Sequence, residues 1–290
     1  MPDAIGNKTA HDYHLDVPAP EQGFFAKGLG HGDWGAKNRL SHLFNPKSGN
    51  TVMLAFDHGY IMGATAGLER MDVTIAPLCR YADVLMATRG AIRSCIPPTV
   101  HNAICLRATH DASVLIDDMS TGNGVGADME AAIRMNASAV AIQCFIGGAG
   151  EARSLETLCR AVDAGERYGI PVLGVTAVGK EMARTTQYFL LATRMLAELG
   201  ASFVKTYYCD DFEKVVAACP VPIVIAGGKK LPEDEALTMA DGARGVDMGR
   251  NIFQSEHPAA MCRAVAKIVH EKFTDREAFQ FYQELAAQDN

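Results

Sequence analysis

The sequence of 290 residues lacks the features that mark membrane-spanning and secreted proteins. It contains no apolar run of about 18 residues, which is the length that a membrane-spanning helix requires. Its first 21 residues are polar and lack the apolar core of a secretion signal. We therefore predict a protein of the cytoplasm with no membrane partner.

Clustered positive charge is also missing. The longest run of lysine or arginine that stands out is Lys229 with Lys230, and the net charge at pH 7 is −7. Surfaces that bind nucleic acid or acidic membranes need basic clusters. The sequence therefore predicts a small-molecule substrate and no nucleic-acid partner.

No two cysteines form a CxxC pair, and no cluster of histidines and carboxylates recurs at the predicted strand ends. Most of the eight cysteines lie inside apolar runs, where cysteine behaves as a small hydrophobic residue. We interpret them as reduced core residues, and we predict neither a disulfide framework nor a metal site. For Cys144 and Cys209, near predicted strand ends, a position facing a site stays open as the alternative.

Short apolar runs alternate with amphipathic stretches from residue 51 onward, which is typical of repeated strand and helix units around a parallel sheet. Eight runs are found, and eight is the number of strands in a TIM barrel. We predict an α/β fold, a (β/α)8 TIM barrel over residues 51–290, with residues 1–50 as an N-terminal extension that packs on the barrel or on a neighbouring subunit. A doubly wound sheet is the alternative. The predicted strands are 51–57, 82–88, 103–109, 139–146, 171–177, 202–208, 222–227 and 245–249.

Two segments depart from a minimal barrel. The stretch 110–127 contains three glycines and follows the third strand, so we expect a long loop on the catalytic face and a candidate lid. The seventh helix, over about residues 232–240, is short for a segment that must run back along a strand.

Lys205 follows an apolar run over residues 201–204 in the sixth strand. Burial disfavours the charged form of a lysine, so the sequence predicts a lowered pKa and a neutral amine that can attack a ketone. The alternative is a lysine whose ammonium extends to solvent or pairs with a carboxylate such as Asp57.

The seventh and eighth strands end in glycines that precede predicted helices. Gly227 and Gly228 end one strand, and Gly249 with Arg250 ends the other. Backbone N–H groups at such helix starts bind phosphate in many barrels, and Lys229 or Arg250 can add charge-assisted hydrogen bonds. We therefore predict a phosphorylated substrate.

The first strand ends in Asp57 and His58, which suit proton transfer or the binding of a substrate hydroxyl. A purely structural role, in which Asp57 neutralises the lysine and His58 caps a loop, stays open. Because alternate strand residues point in opposite directions, Tyr207 is expected inside the barrel. Arg107 and Gln143 would enrich the site if they point inward, although Arg107 could instead form an ion pair within the strand layer.

Four motifs occur in barrel order: AFDHG (55–59), VKTY (204–207), AGGKK (226–230) and VDMGRNIFQ (246–254). With them the chain resembles the DhnA-type class I aldolases over residues 24–283. The resemblance implies that Lys205 is the Schiff-base lysine and that Asp57 and His58 form the motif of the first strand. It also implies a phosphate cradle made of Gly227, Gly228, Gly249 and Arg250.

Within that family the chain is most similar to the branch that processes phosphorylated autoinducer-2, a quorum-sensing signal. This implies cleavage of a phosphorylated diketone with acetyl transfer to coenzyme A, giving dihydroxyacetone phosphate and acetyl-CoA. Coenzyme A would be a co-substrate, with no permanently bound cofactor, and the chain would form a homodecamer. Archaeal sugar-phosphate aldolases of the family carry a tyrosine where this chain has Thr176, so a fructose-bisphosphate aldolase is not expected. The alternatives are a class I aldolase for another ketose phosphate and a non-catalytic barrel that binds a sugar phosphate.

Overall fold

A computed structural model describes residues 23–177, 184–227 and 242–288. Its main sheet is a closed barrel of eight parallel strands. In chain order these strands are β1 (Thr51–Ala55), β2 (Val84–Ala87), β3 (Ala103–Arg107), β6 (Ala139–Cys144), β7 (Val172–Thr176), β8 (Phe203–Tyr207), β9 (Ile223–Ala226) and β10 (Gly245–Met248). The predicted TIM barrel is confirmed, and the doubly wound alternative is wrong because β1 pairs with both β2 and β10.

The helices surround the barrel. They are α1 (Trp34–Leu43), α2 (Gly59–Met62), α3 (Met71–Thr74), α4 (Arg89–Cys95), α5 (Met129–Arg134), α6 (Glu151–Tyr168), α7 (Thr186–Glu198), α8 (Phe212–Ala218), α9 (Arg250–Phe253), α10 (Pro258–Glu271) and α11 (Asp275–Ala286). Two short 3-10 helices cover Ala76–Tyr81 and Met119–Gly122. The predicted seventh helix lies outside the described residues.

The barrel strands are buried on both faces, which is why they form continuous apolar runs in the sequence. Every residue of β1, β2 and β3 is buried. Met53, Met86 and Met248 fill the core, each at most 2% exposed. Each barrel strand is shorter than its predicted run, because one or two residues at its ends lie outside the paired part of the sheet.

Segment 23–50 covers the opposite end of the barrel. Asp33 caps α1 by accepting a hydrogen bond from the N–H of Ala36. The Arg39 guanidinium donates to the carbonyl of Gly169, just before β7, and the Lys27 ammonium donates to the carbonyl of Cys219, just before β9. These contacts attach the segment to the amino-terminal face of the barrel, while the domain boundary at residue 50 stays a prediction.

The predicted loop 110–127 contains a small antiparallel hairpin, made of β4 (Thr109–His110) and β5 (Gly124–Val125). The N–H groups of Gly126 and Ala127 donate to the carbonyl of Ala108 and join the hairpin to the end of β3. Within the described ranges, no helix has the length and apolar character needed to cross a bilayer.

Candidate active site

A cavity of about 310 Å³ opens at the carboxyl ends of the barrel strands. This is the face on which TIM-barrel enzymes carry their active sites. Its lining joins residues from β1, β3, β6, β7, β8, β9 and β10 with Asp117–Ser120 of the loop after β3. The predicted position of that loop on the catalytic face is therefore confirmed.

Lys205 borders this cavity from β8, with 13% of its side chain exposed. Its ammonium lies 3.0 Å from a carboxylate oxygen of Asp247 on β10, and 3.8 Å from the sulfur of Met86. The alternative that the lysine pairs with a carboxylate is confirmed, although its salt-bridge partner is Asp247 and not Asp57. Sequence reasoning missed Asp247, although a carboxylate inside an apolar strand signals a buried partner of opposite charge.

The predicted lowering of the Lys205 pKa is also wrong. Burial alone would lower the pKa of Lys205, but the carboxylates of Asp247 and Asp57 outweigh burial, so the pKa lies above the usual lysine value. The resting side chain is therefore an ammonium. An amine that attacks a carbonyl must first lose a proton, so a nearby proton acceptor becomes part of the chemistry.

Arg107 points inward from β3 and is the centre of a buried polar network. Its guanidinium donates to Asp57 at 2.7 Å and to the hydroxyl of Tyr60 at 2.9 Å, and also to Asp111 and Gln143. Both interpretations from the sequence hold, since Arg107 lines the cavity and forms ion pairs. Asp111, which no sequence pattern singled out, joins the loop after β3 to this network.

Asp57 lies at the end of β1 and is 6% exposed. Burial acts to raise the pKa of Asp57, but the hydrogen bond with His58 and the charges of Arg107 and Lys205 hold that pKa well below its usual range. A carboxylate of this kind stays ionised and is a poor proton acceptor. Asp57 is therefore suited to hold positive charge or a substrate hydroxyl.

His58 follows Asp57 and stacks its ring on Phe253, with ring centroids 5.8 Å apart. Its Nδ1 lies 3.5 Å from an Asp57 oxygen. Its buried Nε2 has no hydrogen-bond partner within the described part of the chain. That nitrogen therefore has an unused hydrogen-bonding position.

Three of the predicted phosphate-binding residues, Gly227, Gly249 and Arg250, border the same cavity. Gly228 and Lys229 lie outside the described residues. A Cβ atom at Gly249 would lie 2.1 Å from the carbonyl oxygen of Ala55 and 2.9 Å from the His58 ring. Glycine at this position therefore lets β10 approach the end of β1, and that close approach was not anticipated from the sequence.

Tyr207 lines the cavity as predicted, and Tyr208 points outward with 49% of its surface exposed. Thr176 also borders the cavity, and its buried hydroxyl has no partner among the described residues. Cys144 and Cys209 are buried, and burial raises the pKa of both thiols. The two cysteines are packing residues, and all eight cysteines of the chain are free thiols.

Histidine, cysteine and carboxylate side chains do not gather in groups of three or more that could bind a metal ion in the ranges 23–177, 184–227 and 242–288. The cavity instead offers the amine of Lys205, the carboxylates of Asp57 and Asp247, the imidazole of His58 and the buried guanidinium of Arg107. Such a set suits reversible addition of an amine to a carbonyl, with proton transfer to nearby acids.

Known proteins that resemble this chain are named as aldolases and thiolases. A family model described as DeoC/LacD family aldolase matches residues 51–255. A protein of Enterobacter sp. (strain 638) that is named 3-hydroxy-5-phosphonooxypentane-2,4-dione thiolase is 53% identical over 290 residues, covering 98% of each chain. A protein of the same name in Escherichia coli (strain K12) is 51% identical over 288 residues, covering 97% of this chain and 98% of the relative.

Solved structures give the same fold. An archaeal fructose 1,6-bisphosphate aldolase superposes with a TM-score of 0.72 at 24% identity, covering 81% of this chain and 99% of its own. A fructose-bisphosphate aldolase from Slackia heliotrinireducens gives a TM-score of 0.75 at 17% identity, covering 86% and 90%. At these identities the likeness concerns the fold alone.

The family model spans most of the chain, and the relatives share about half of its residues along nearly its whole length. The protein is accordingly an enzyme of the class I aldolase kind. The chain belongs to the DeoC/LacD aldolase family, in the DhnA-type group that its motifs predict.

Proposed function

We propose that this enzyme cleaves 3-hydroxy-5-phosphonooxypentane-2,4-dione through a Schiff base on Lys205 and passes the acetyl group to coenzyme A. The products are dihydroxyacetone phosphate and acetyl-CoA. The observation that carries the proposal is the 51–53% identity, over nearly the full length, to proteins named as thiolases for this diketone. The cavity supports it, because a buried lysine lies among groups that can move protons and bind a phosphorylated ligand.

The position of the Schiff base follows from the products. Dihydroxyacetone phosphate keeps carbons 3 to 5 of the diketone, so the bond that breaks joins carbons 2 and 3. An iminium between Lys205 and carbon 4 lies next to that bond and accepts its electron pair as an enamine. The thiol of coenzyme A takes the acetyl group at carbon 2, and protonation of carbon 3 followed by hydrolysis releases dihydroxyacetone phosphate.

The other groups of the cavity have separate roles in this proposal. Gly227, Gly249 and Arg250 hold the phosphate, together with Gly228 and Lys229. Binding energy from the phosphate, remote from the reacting carbons, orients the diketone. Asp57 binds the hydroxyl on carbon 3, and His58 moves a proton through its free Nε2. A cytoplasmic location and a homodecamer stay predictions from the sequence resemblance.

The first experiment is borohydride trapping with dihydroxyacetone phosphate, read by intact mass. We expect a stable adduct on the wild type, none on Lys205→Ala, and a wild-type amount on Lys214→Ala, since Lys214 is exposed on α8 and pairs with Asp211. A wild type that binds phosphate ligands but gives no adduct would overturn the proposal and favour a non-catalytic barrel.

A second arm separates the thiolase from an aldolase for another ketose phosphate. With the diketone as substrate, the proposal predicts that acetyl-CoA, followed by chromatography, accumulates in proportion to dihydroxyacetone phosphate. No turnover of the diketone in the presence of coenzyme A, together with reversible cleavage of a ketose phosphate in its absence, would instead favour the plain aldolase. Removing the phosphate from the substrate is expected to lower kcat as well as affinity.

A further inference from the structure

Asp247 has an unusual environment for a buried carboxylate. Its side chain has no exposed surface, and apart from the Lys205 ammonium at 3.0 Å neither oxygen has a hydrogen-bond partner in the described part of the chain. Buried carboxylates normally accept several hydrogen bonds. The charge of Asp247 is therefore balanced by one movable proton on its neighbour.

The other carboxylate near the lysine is held differently. Asp57 accepts a hydrogen bond from Arg107, whose guanidinium keeps its charge at any working pH, and lies beside His58. Protonating Asp57 would break a buried ion pair, whereas protonating Asp247 by proton transfer from Lys205 removes two buried charges at once. Geometry thus favours Asp247 as the proton acceptor for the amine.

Charged and titratable groups act on this pair from three strands. Asp247 interacts with Lys205 on β8, with Asp57 and His58 at the end of β1, and with Cys105 on β3. Tyr207, on the same strand as Lys205, acts on the lysine. Burial raises the pKa of Asp247, and Asp57 adds to that effect, while Lys205 and His58 act in the opposite sense. Burial also raises the pKa of Cys105 well above the usual thiol value, so its thiol stays protonated and is no competing acceptor.

We propose that Asp247 is a catalytic residue of the Schiff-base step, which takes a proton from the Lys205 ammonium and returns it to the hydroxyl that leaves as water. This inference rests on the proposed function of Lys205. The cavity borders both side chains, so a carbonyl carbon bonded to the lysine nitrogen comes within reach of the same carboxyl group.

The step balances without an outside reactant. Proton transfer along the 3.0 Å contact converts ammonium and carboxylate into amine and carboxylic acid. The amine adds to the ketone, and one amine proton moves to the new oxygen to give a carbinolamine. The acid then protonates the hydroxyl, and the C–O bond breaks with release of water. The products are an iminium and the Asp247 carboxylate, so the net charge of the pair is unchanged.

The test measures the rate of adduct formation with dihydroxyacetone phosphate and borohydride as a function of pH. Because the proton stays within the pair, we expect the wild-type rate to be flat between about pH 6 and about pH 9. Asp247→Asn keeps the shape of the side chain but cannot take a proton, and we expect its rate to fall by about 10²- to 10⁴-fold. Its remaining rate should depend on pH, since the proton then goes to solvent.

A second variant distinguishes loss of the proton acceptor from loss of the fold. Asp247→Ala leaves space for formate, and we expect added formate to accelerate its adduct formation but not that of the wild type. A wild-type rate that rises about tenfold per pH unit through this range would overturn the inference. So would an Asp247→Asn variant with the wild-type rate and profile, or a folded Asp247→Ala variant that formate does not accelerate. If the wild type itself forms no adduct, the proposed function of Lys205 is wrong and this inference with it.

Discussion

Two aspartates near Lys205 show how the same side chain acquires different chemistry. Asp57 and Asp247 are both buried, yet Arg107 and His58 hold Asp57 ionised, whereas Asp247 depends on the proton of Lys205. Burial acts to raise the pKa of both residues. At Asp57 the hydrogen bond with His58 and the charges of Arg107 and Lys205 outweigh burial, whereas at Asp247 burial outweighs the charge of Lys205. The assignment of acid and base roles in this cavity therefore depends on contacts across the barrel.

The Asp57 environment leads to a stability prediction. Asp57→Asn leaves the charge of Arg107 less well compensated in a buried position, and breaking such a pair costs about 3 kcal/mol of unfolding free energy. The folded-state pKa of Asp57 is depressed, so its stabilising effect is present above the unfolded value near 3.8 and is lost as the pH falls through the folded value. We expect the stability difference between wild type and variant to be full at pH 7 and to shrink below about pH 4.

Urea unfolding at several pH values measures this difference. The matched control is Asp72→Asn, which breaks the exposed ion pair with Arg70 and should cost under about 1 kcal/mol. An Asp57→Asn variant as stable as Asp72→Asn at pH 7 would show that Asp111 alone compensates Arg107.

At the residue scale, the sequence locates side chains of the cavity but not their partners. The positions of Lys205, Asp57 and His58 at the cavity could be predicted because these residues lie in or directly after apolar strand runs, whose carboxyl ends form this face of a barrel. The pairing of Lys205 with Asp247 could not be read from spacing alone, because the closed barrel brings β8 and β10 together across its interior. The pKa of Lys205 was predicted in the wrong direction for the same reason, since the compensating charge was unknown.

At the element scale, the loop after β3 is fixed by hydrogen bonds to the barrel. Asn123 is fully buried and donates to Asp111 at 2.7 Å and to the carbonyl of Gln143 at 3.1 Å. Asp111 in turn accepts from Arg107 and Tyr60. Asn123 therefore connects the hairpin of β4 and β5 to both the Arg107 network and β6.

We predict that Asn123→Ala loosens this loop without loosening the barrel. Loss of two buried hydrogen bonds costs about 1–3 kcal/mol, which favours local opening by about 5- to 150-fold. Hydrogen exchange followed by mass spectrometry should show faster exchange over 109–126 and unchanged exchange in β1 and β8. Thr121→Ala, an exposed change in the same loop, is the control. Equal exchange in the two variants would mean that other contacts hold the hairpin.

Some helices and strands could be predicted from the sequence and others could not. The barrel strands are buried on both faces, so their apolar runs could be predicted in number and order. The strands β4 and β5 have two residues each, which is too few for any periodicity, so the sequence did not predict a hairpin in this loop. The helix α11 was also missed. Its Thr274 and Glu277 form a capping box, the kind of local signal from which it could have been predicted.

At the scale of the whole molecule, the barrel has one face for chemistry and one for stability. The cavity lies at the carboxyl ends of the strands, whereas segment 23–50 covers the amino-terminal ends. Phe44 is 1% exposed and packs its ring edge-on against Phe203, with centroids 5.4 Å apart. Phe203 begins the strand that carries Lys205, so the two faces share a strand but not their contacts.

This separation predicts a variant that loses stability and keeps its chemistry. Phe44→Ala leaves a cavity in the core, and such a truncation costs about 3–5 kcal/mol. The melting temperature should fall by about 10 °C. Below the melting transition the variant should still form the Lys205 adduct with dihydroxyacetone phosphate at the wild-type rate, because its altered contacts lie at the far end of β8.

The matched control is Phe279→Ala on α11, where the ring is 55% exposed and the same truncation should change the melting temperature far less. If Phe44→Ala melts with a large shift and also loses adduct formation while folded, the amino-terminal face positions the lysine, and segment 23–50 has to be counted as part of the active site.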